Sequence, residues 1–348
     1  MKKHITADTV LKDDTDMAGF DTIFWYNLSN KTRSHAMSKK TTDHPTLLEH
    51  FRSFCFQNRA TDLEQAVEYF SVFGGTGWHI DLSRPLEALI EEKVLKNYRY
   101  IHGDIAHITK SKPLYHALLS AIASGDRREH SAFKKANVKR EEGEEAIDWL
   151  VKSGLLMFDR SVEKPLKEEE GNSDKLLFVQ PFMRFWFAAV SPYYKGIKEG
   201  DYSEMKAHWA KTKTGFSELI YDQLVLEMLT KGFKEAFEGD PIIGIGGYWD
   251  KNVEIDILIK RRSGEMIAGS TKYAKSKANK SELTKLKEKC AQAQLDVDTF
   301  VLFSKNKFTS ELKKEKGEKL QLFSLRNLAG LMDDLSENDL LTYTNKKY

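Results

Sequence analysis

The chain has 348 residues, 30% of them charged and 41% hydrophobic, with a formal net charge of +2. That length supports two or three domains, and the near balance of charge means that overall electrostatics does not select a nucleic-acid partner. The two cysteines, Cys55 and Cys290, lie far apart without CxxC or Cys/His spacing, which excludes a disulfide framework and a zinc site.

Residues 1–45 are rich in Thr, Asp, Lys and Ser, and only Phe20 to Leu28 could dock as a strand or short helix. The N-terminal MKKHITADTV has no apolar h-region, and the most apolar run, Leu176 to Val190, is interrupted by Gln180, Pro181 and Arg184. A cytoplasmic protein with no membrane partner is therefore expected.

From 46 to 111 the pattern predicts a helical, winged-helix-like module. Leu63, Ala66, Val67 and Phe70 form a helical stripe after Asp62 and before Gly74-Gly75, and Leu86, Leu89 and Ile90 form a second. His102-Gly103-Asp104 is a turn composition, which predicts a β-hairpin between Tyr98 and Ile108.

A clearer winged-helix module is predicted over 112–181. Three helical stripes, led by Leu114, Ser131 and Ala146, precede two strands, Leu155 to Phe158 and Leu176 to Val179, with the charged insert Glu163 to Asp174 as a loose tip. The third helix starts with Glu141, Glu142, Glu144 and Glu145, which suit the positive end of a helix dipole but repel phosphates. This module is expected to face a protein partner rather than a DNA groove. Residues 182–212 are read as a helical linker opening on an aromatic run. Phe182, Phe185, Trp186 and Phe187 could stack on bases, but a core role is the expectation.

The last domain, 213–335, reads as a helix, three strands, a helix and further strands, followed by a tail over 336–348. This order permits an antiparallel meander and then a parallel crossover strand, an α/β sandwich. Its densest chemistry lies in VEIDILIKRRSGEMIAGSTK, Val253 to Lys272. Val253, Ile255, Ile257 and Ile259 alternate with Glu254 and Asp256, so a period of two puts both carboxylates on one face, and Ser270 and Lys272 share a face of the next strand. Lys260 to Lys319 carries 16 Lys/Arg against 8 Asp/Glu, a local excess that suggests a polyanion or, equally, solvated helix faces. His79, His102 and His107 show no ligand spacing, and no GxSxG elbow occurs.

Three segments, YHALLSAIASG, VQPFMRFWFAAVSP and GYWDKNVEIDI leading to GSTKY, together resemble the C-terminal half of archaeal-type AAA+ ATPases, the region called domain of unknown function 234. The likeness runs from about Leu114 to Phe303. It implies a multidomain protein with an α-helical, winged-helix N-terminal part and a C-terminal α/β domain of restriction-endonuclease-like fold, similar to PD-(D/E)XK nucleases. In such nucleases an Asp on one strand and a Glu-x-Lys on its neighbour hold a divalent metal and polarise a water. The implied catalytic positions are Glu218, Asp256, Ser270 and Lys272, with Asp256 and Glu254 as metal ligands.

The sequence departs from that pattern twice. No GxxxxGK[ST] occurs, and Gly74-Gly75-Thr76-Gly77 lacks the lysine, so no ATP partner is expected. Ser270 stands where the Glu belongs, which leaves Asp256 without the acid that would share the ion. Glu254, Glu218, Glu282 or Glu265 could substitute; otherwise Glu254, Asp256 and Lys272 form an inert ion-pair cluster. The expectation is a non-catalytic nucleic-acid-binding protein on a degenerate nuclease-like domain. It needs no cofactor, and Lys275, Lys277, Lys280, Arg261 and Arg262 contact phosphates. The alternatives are a Mg²⁺-dependent nuclease with a relocated acid and a regulatory protein-interaction module.

Overall fold

The computed structural model describes residues 45–163, 174–236 and 240–341. The segment before residue 45, the insert tip at 164–173 and the end of the tail lie outside the described residues.

Helix α1 (Leu47–Gln57) opens with a reciprocal cap. The Thr46 hydroxyl accepts from the Glu49 backbone N–H at 3.2 Å, and Glu49 Oε2 accepts from the Thr46 N–H at 2.7 Å. Helix α2 (Leu63–Phe73) is capped by Asp62 and stops at Gly74. Phe51 and Phe70 meet edge to face, 5.2 Å apart, in the core between them. Helix α3 (Leu86–Ile90) runs into a wider π turn, Glu91–Leu95, before α4 (Tyr98–Ile108). The hairpin expected at 98–108 is thus a helix. Tyr98, Ile101 and Ile105 fall on one buried face, while His102, Gly103 and Asp104 are exposed on the other. The three-and-four spacing of the apolar residues outweighs the local turn composition. Among the described residues, 46–111 contains no strand and therefore no wing.

Helices α5 (Pro113–Ala123), α6 (Glu129–Ala136) and α7 (Arg140–Lys152) precede an antiparallel ribbon. It consists of β1 (Leu156–Asp159) and β2 (Lys175–Phe178), with Leu156 opposite Phe178. Tyr115 and Trp149 stack 4.6 Å apart and lock α5 to α7. Helix α8 (Pro181–Phe185) continues through a π turn, Trp186–Val190, that is buried throughout, so the aromatic run is core.

After α9 (Tyr194–Glu199), one helix, α10 (Ser203–Ala236), runs for 34 residues, about 50 Å. Two helices were expected here. No proline interrupts the stretch, and Gly215, with nothing near its absent side chain, is tolerated on an open face. The boundary expected at 212/213 falls inside this helix.

The C-terminal sheet has the order β3 (Ile242–Trp249), β4 (Glu254–Arg261), β5 (Met266–Lys272), β6 (Thr299–Ser304), β7 (Leu320–Ser324). The first two pairings are antiparallel and the last two parallel, which includes the meander and the parallel crossover that the element order permits. Helix α11 (Lys280–Gln292) makes the crossover from β5 to β6, and α12 (Ser310–Lys314) lies between β6 and β7. Ile257, Ile259, Ile267, Val301 and Phe303 share a core with Leu224, Val225 and Met228 of α10. Leu258, Ala268 and Leu302 pack on the other face with Leu283, Leu286 and Cys290 of α11.

Ile255 belongs to this second core, not with Ile257 and Ile259 as strict alternation requires. The register explains it: Gly246 faces Leu258 but Tyr248 faces Ile255, so β4 carries one extra residue at Asp256-Ile257. This β-bulge reverses the side-chain phase and re-aims Asp256.

Gly269 is the tightest point of the sheet, where a Cβ would lie 2.5 Å from Val301 Cγ2 and 3.0 Å from Ile257 Cβ. Gly269→Ala should therefore destabilise the protein by about 1–3 kcal/mol, read as a lower urea midpoint at unchanged slope. A midpoint equal to wild type would mean that β5 and β6 can separate without cost.

Candidate functional site

The bulge brings Asp256 against the C-terminal end of β5. Its Oδ2 accepts from Ser270 Oγ at 2.8 Å and from the Thr271 backbone N–H at 2.9 Å, with Thr271 Oγ1 at 3.4 Å. Thr271 points to the opposite face of β5 from Ser270, towards α10, and there its hydroxyl lies 2.5 Å from Asp222 Oδ1. The hydroxyl thus stands between two carboxyl groups. Glu218, one helical turn before Asp222, lies on the same side of α10.

Electrostatics separates these acids. Burial, then the charge of Asp256, raises the Asp222 carboxyl to about 8, so it is mostly protonated at neutral pH. Burial, followed by Asp256, also raises Glu218 above the usual carboxylate range. With Asp222 neutral, the repulsion at the cluster is relieved.

The remaining expected site residues part company. Lys272 Nζ donates to Glu282 Oε1 at 2.8 Å, in the first turn of α11, and is neutralised there. Glu254 accepts from Lys175 Nζ at 2.6 Å, and Lys175 lies 4.2 Å over the Trp249 ring, so Glu254 joins the β1–β2 ribbon to the sheet. Burial opposes ionisation of Glu254, but the Lys175 hydrogen bond and nearby arginines outweigh it and hold the carboxyl below its ordinary value.

Among the basic residues, Lys275 and Lys277 are exposed on the loop after β5. That loop is tied to the one after β6: Asn306 Nδ2 donates to the Lys275 carbonyl at 2.6 Å, and the Ala278 N–H donates to the Lys307 carbonyl at 3.2 Å. Exposed Lys307 is thereby brought beside them. Lys280 is paired with Glu315 at 2.6 Å. Arg261 is buried against Glu265 at 2.5 Å, at the far end of β5 next to exposed Arg262, roughly 20 Å from Lys272. The structure therefore gathers Asp256, Ser270, Thr271, Asp222 and Glu218, with Lys275 and Lys277 nearby, and disperses Glu254, Arg261 and Arg262.

Asp222 and Thr271 were not singled out from the sequence. The signal was present in α10: Glu218 and Asp222 stand four apart in a helix otherwise apolar at Leu219, Ile220, Tyr221, Leu224 and Val225. Of the two, Asp222 reaches the sheet at Thr271, while Glu218 is exposed.

Among the described residues, no three His, Cys, Asp or Glu side chains converge to hold a metal ion. Asp256 spends Oδ2 on two close donors and Ser270 is neutral, so the strand-borne donor set is a poor match for a divalent cation. Residues 186–284 match the family model of domain of unknown function 234. That family is described as archaea bacterial proteins of unknown function, and the match supports placing this region in it. It covers the buried π turn from Trp186, all of α10, β3 to β5 and the start of α11, and so includes the whole cluster around Asp256. No curated protein and no solved structure matches the chain. Among the described residues, no helix is long and apolar enough to cross a membrane.

The protonation of Asp222 has a consequence for stability. Its carboxyl ionises near pH 4 when unfolded and near 8 when folded, so between those values the folded state holds more protons. The stability it contributes is fully present below about pH 4 and is lost as pH rises through about 8. Asp222→Asn should flatten the decline in unfolding free energy across this window, measured by urea melts at successive pH values. A slope identical to wild type would show that Asp222 is ionised in the fold.

Proposed function

We propose that the chain binds nucleic acid along the carboxyl-terminal edge of β5 and β6 without cleaving it, on a degenerate PD-(D/E)XK-like frame. The observation that carries this reading is that Asp256 and Lys272, the strand-borne remnants of a hydrolytic site, each have a partner inside the fold. Asp256 accepts from Ser270 and Thr271, and Lys272 is bound to Glu282, while Lys275, Lys277 and Lys307 stay exposed on tied loops at the same edge. A phosphate backbone needs cations in a fixed row rather than base-reading side chains, and two loops joined by backbone hydrogen bonds provide one. Crevices at the carboxyl ends of parallel strands are also where open α/β sheets bind ligands.

The order of three helices and a two-stranded ribbon over 113–178 supports a winged-helix reading of that module. Exposed Glu141, Glu142, Glu144 and Glu145 on α7 direct it to a protein partner. A second reading, a Mg²⁺-dependent nuclease with a relocated acid, is favoured by Asp222, whose carboxyl reaches the Thr271 hydroxyl beside Asp256. Its protonation and the lack of a converging ligand set favour binding alone.

Binding to a duplex should weaken steeply with salt. Replacing Lys275, Lys277 and Lys307 by Gln should reduce the slope of log affinity against log salt by about 0.9 for each lost phosphate contact. Fluorescence anisotropy across a salt series reads this directly, and an unchanged slope would remove nucleic acid from this edge. With Mg²⁺ or Mn²⁺ present, the wild-type protein should leave linear duplex and single strands intact. Cleavage abolished by Asp256→Asn would instead establish the relocated-acid enzyme.

A further inference from the structure

Where α2, α5, β2, α8 and α10 meet, the fold leaves a small, partly open cavity of about 10 Å³, lined by Ser71, Phe178, Ile220 and Gln223 and by two arginines, Arg127 and Arg184. That volume holds one atom of about the size of a water. The Arg184 guanidinium lies 4.2 Å over the Phe216 ring, and its Nη1 is sealed from solvent with no hydrogen-bond partner among the described residues. None of the ion pairs of the described residues includes Arg184. The charge that acts on it most is a second cation, Arg127, which pairs with Asp159 at 3.5 Å and also acts on Glu254 and Asp222.

This arrangement is electrostatically incomplete. Burial, aided by Arg127, lowers Arg184 to about 9, which still leaves it charged at neutral pH. A buried cation without a counter-charge is costly, and the aromatic ring of Phe216 compensates only a small part. A water could accept from Nη1 but would leave the positive charge uncompensated. Asp222, on the same helix as Gln223, is mostly protonated and cannot serve. The size of the cavity disfavours a tetrahedral oxyanion, whereas a halide is only slightly larger than a water.

We propose that this cavity is a monatomic-anion site, in which chloride sits against Arg184 and Arg127 and ties α8 and the turn before α6 to α10. The site lies at the junction of the helical half and α10, so its occupancy acts on stability through binding to the folded state alone.

The test uses the full chain at fixed ionic strength, with chloride exchanged for methanesulfonate. Chloride should raise Tm in a saturable manner by roughly 2–4 °C, a shift that Arg184→Met abolishes and inorganic phosphate does not reproduce. Bromide introduced into crystals of the wild-type protein should give an anomalous peak within contact of Arg184 Nη1, a result that does not depend on whether the variant folds. Water at that position with no bromide peak would overturn the proposal. So would equal melting in chloride and methanesulfonate, or a phosphate-specific rise.

Discussion

Helix α10 must bury two different sides of itself along its length, and the rest of the architecture follows from that constraint. Near its start Trp209 and Phe216 pack edge to face with Phe185 of α8, inside the helical half. Further on, Leu224, Val225 and Met228 enter the same continuous core as Ile257, Ile259 and Val301 of the sheet. At roughly 1.5–3 kcal/mol for each fully buried large apolar side chain, this shared face makes the helical half and the sheet one packed body rather than domains on a tether. Ion pairs at the seam add orientation: Lys305, in the turn after β6, reaches Glu64 of α2, and Lys175 of β2 reaches Glu254 of β4.

The same burial decides the chemistry of the site. Burial and the charge of Asp256 push the carboxyl groups of Asp222 and Glu218 towards the neutral form, although Glu218 keeps much of its surface exposed. In a metal site the cation would counter that penalty. Here the compensation is hydrogen bonding: the Thr271 hydroxyl serves Asp222, and Asp256 takes the Ser270 hydroxyl and the Thr271 N–H. The Ser270 hydroxyl is a donor placed where an anionic group would repel Asp256.

Much of the fold was legible in the sequence where one period dominates. The three helical stripes before Leu156, and the meander and parallel crossover of the sheet, were readable because apolar residues repeat cleanly and turns carry Gly or Ser. The misreadings have physical causes. At Tyr98 to Ile108 a turn-like His-Gly-Asp sits on the solvent face of a helix, where it costs little. At 203–236 polar residues between two stripes looked like a break, although nothing in them stops a helix. Inside β4 the alternation of isoleucines is unbroken in sequence, while the bulge at Asp256-Ile257 reverses the phase in space, so the pairing of Glu254 with Asp256 could not be tested by period alone. Asp222 and Thr271 meet only because α10 crosses the sheet at that height, a tertiary fact with no local signature.

The charge count of the last domain shows the same limit from another side. An excess of basic residues between Lys260 and Lys319 describes the chain, but a polyanion meets only cations that lack an internal partner. Arg261 is held by Glu265, Lys272 by Glu282, Lys280 by Glu315 and Lys305 by Glu64. Withdrawing these narrows the basic surface from a broad face to the exposed lysines of the loops and of the α11 and α12 side. Of these, Lys275, Lys277 and Lys307 sit on loops tied together beside the Asp256 edge by the Ala278 N–H to the Lys307 carbonyl and by the Asn306 side-chain amide to the Lys275 carbonyl. If this edge binds a phosphate backbone as proposed, affinity depends less on net charge than on how rigidly those two loops hold their lysines, since cations that must first be ordered lose side-chain entropy on binding.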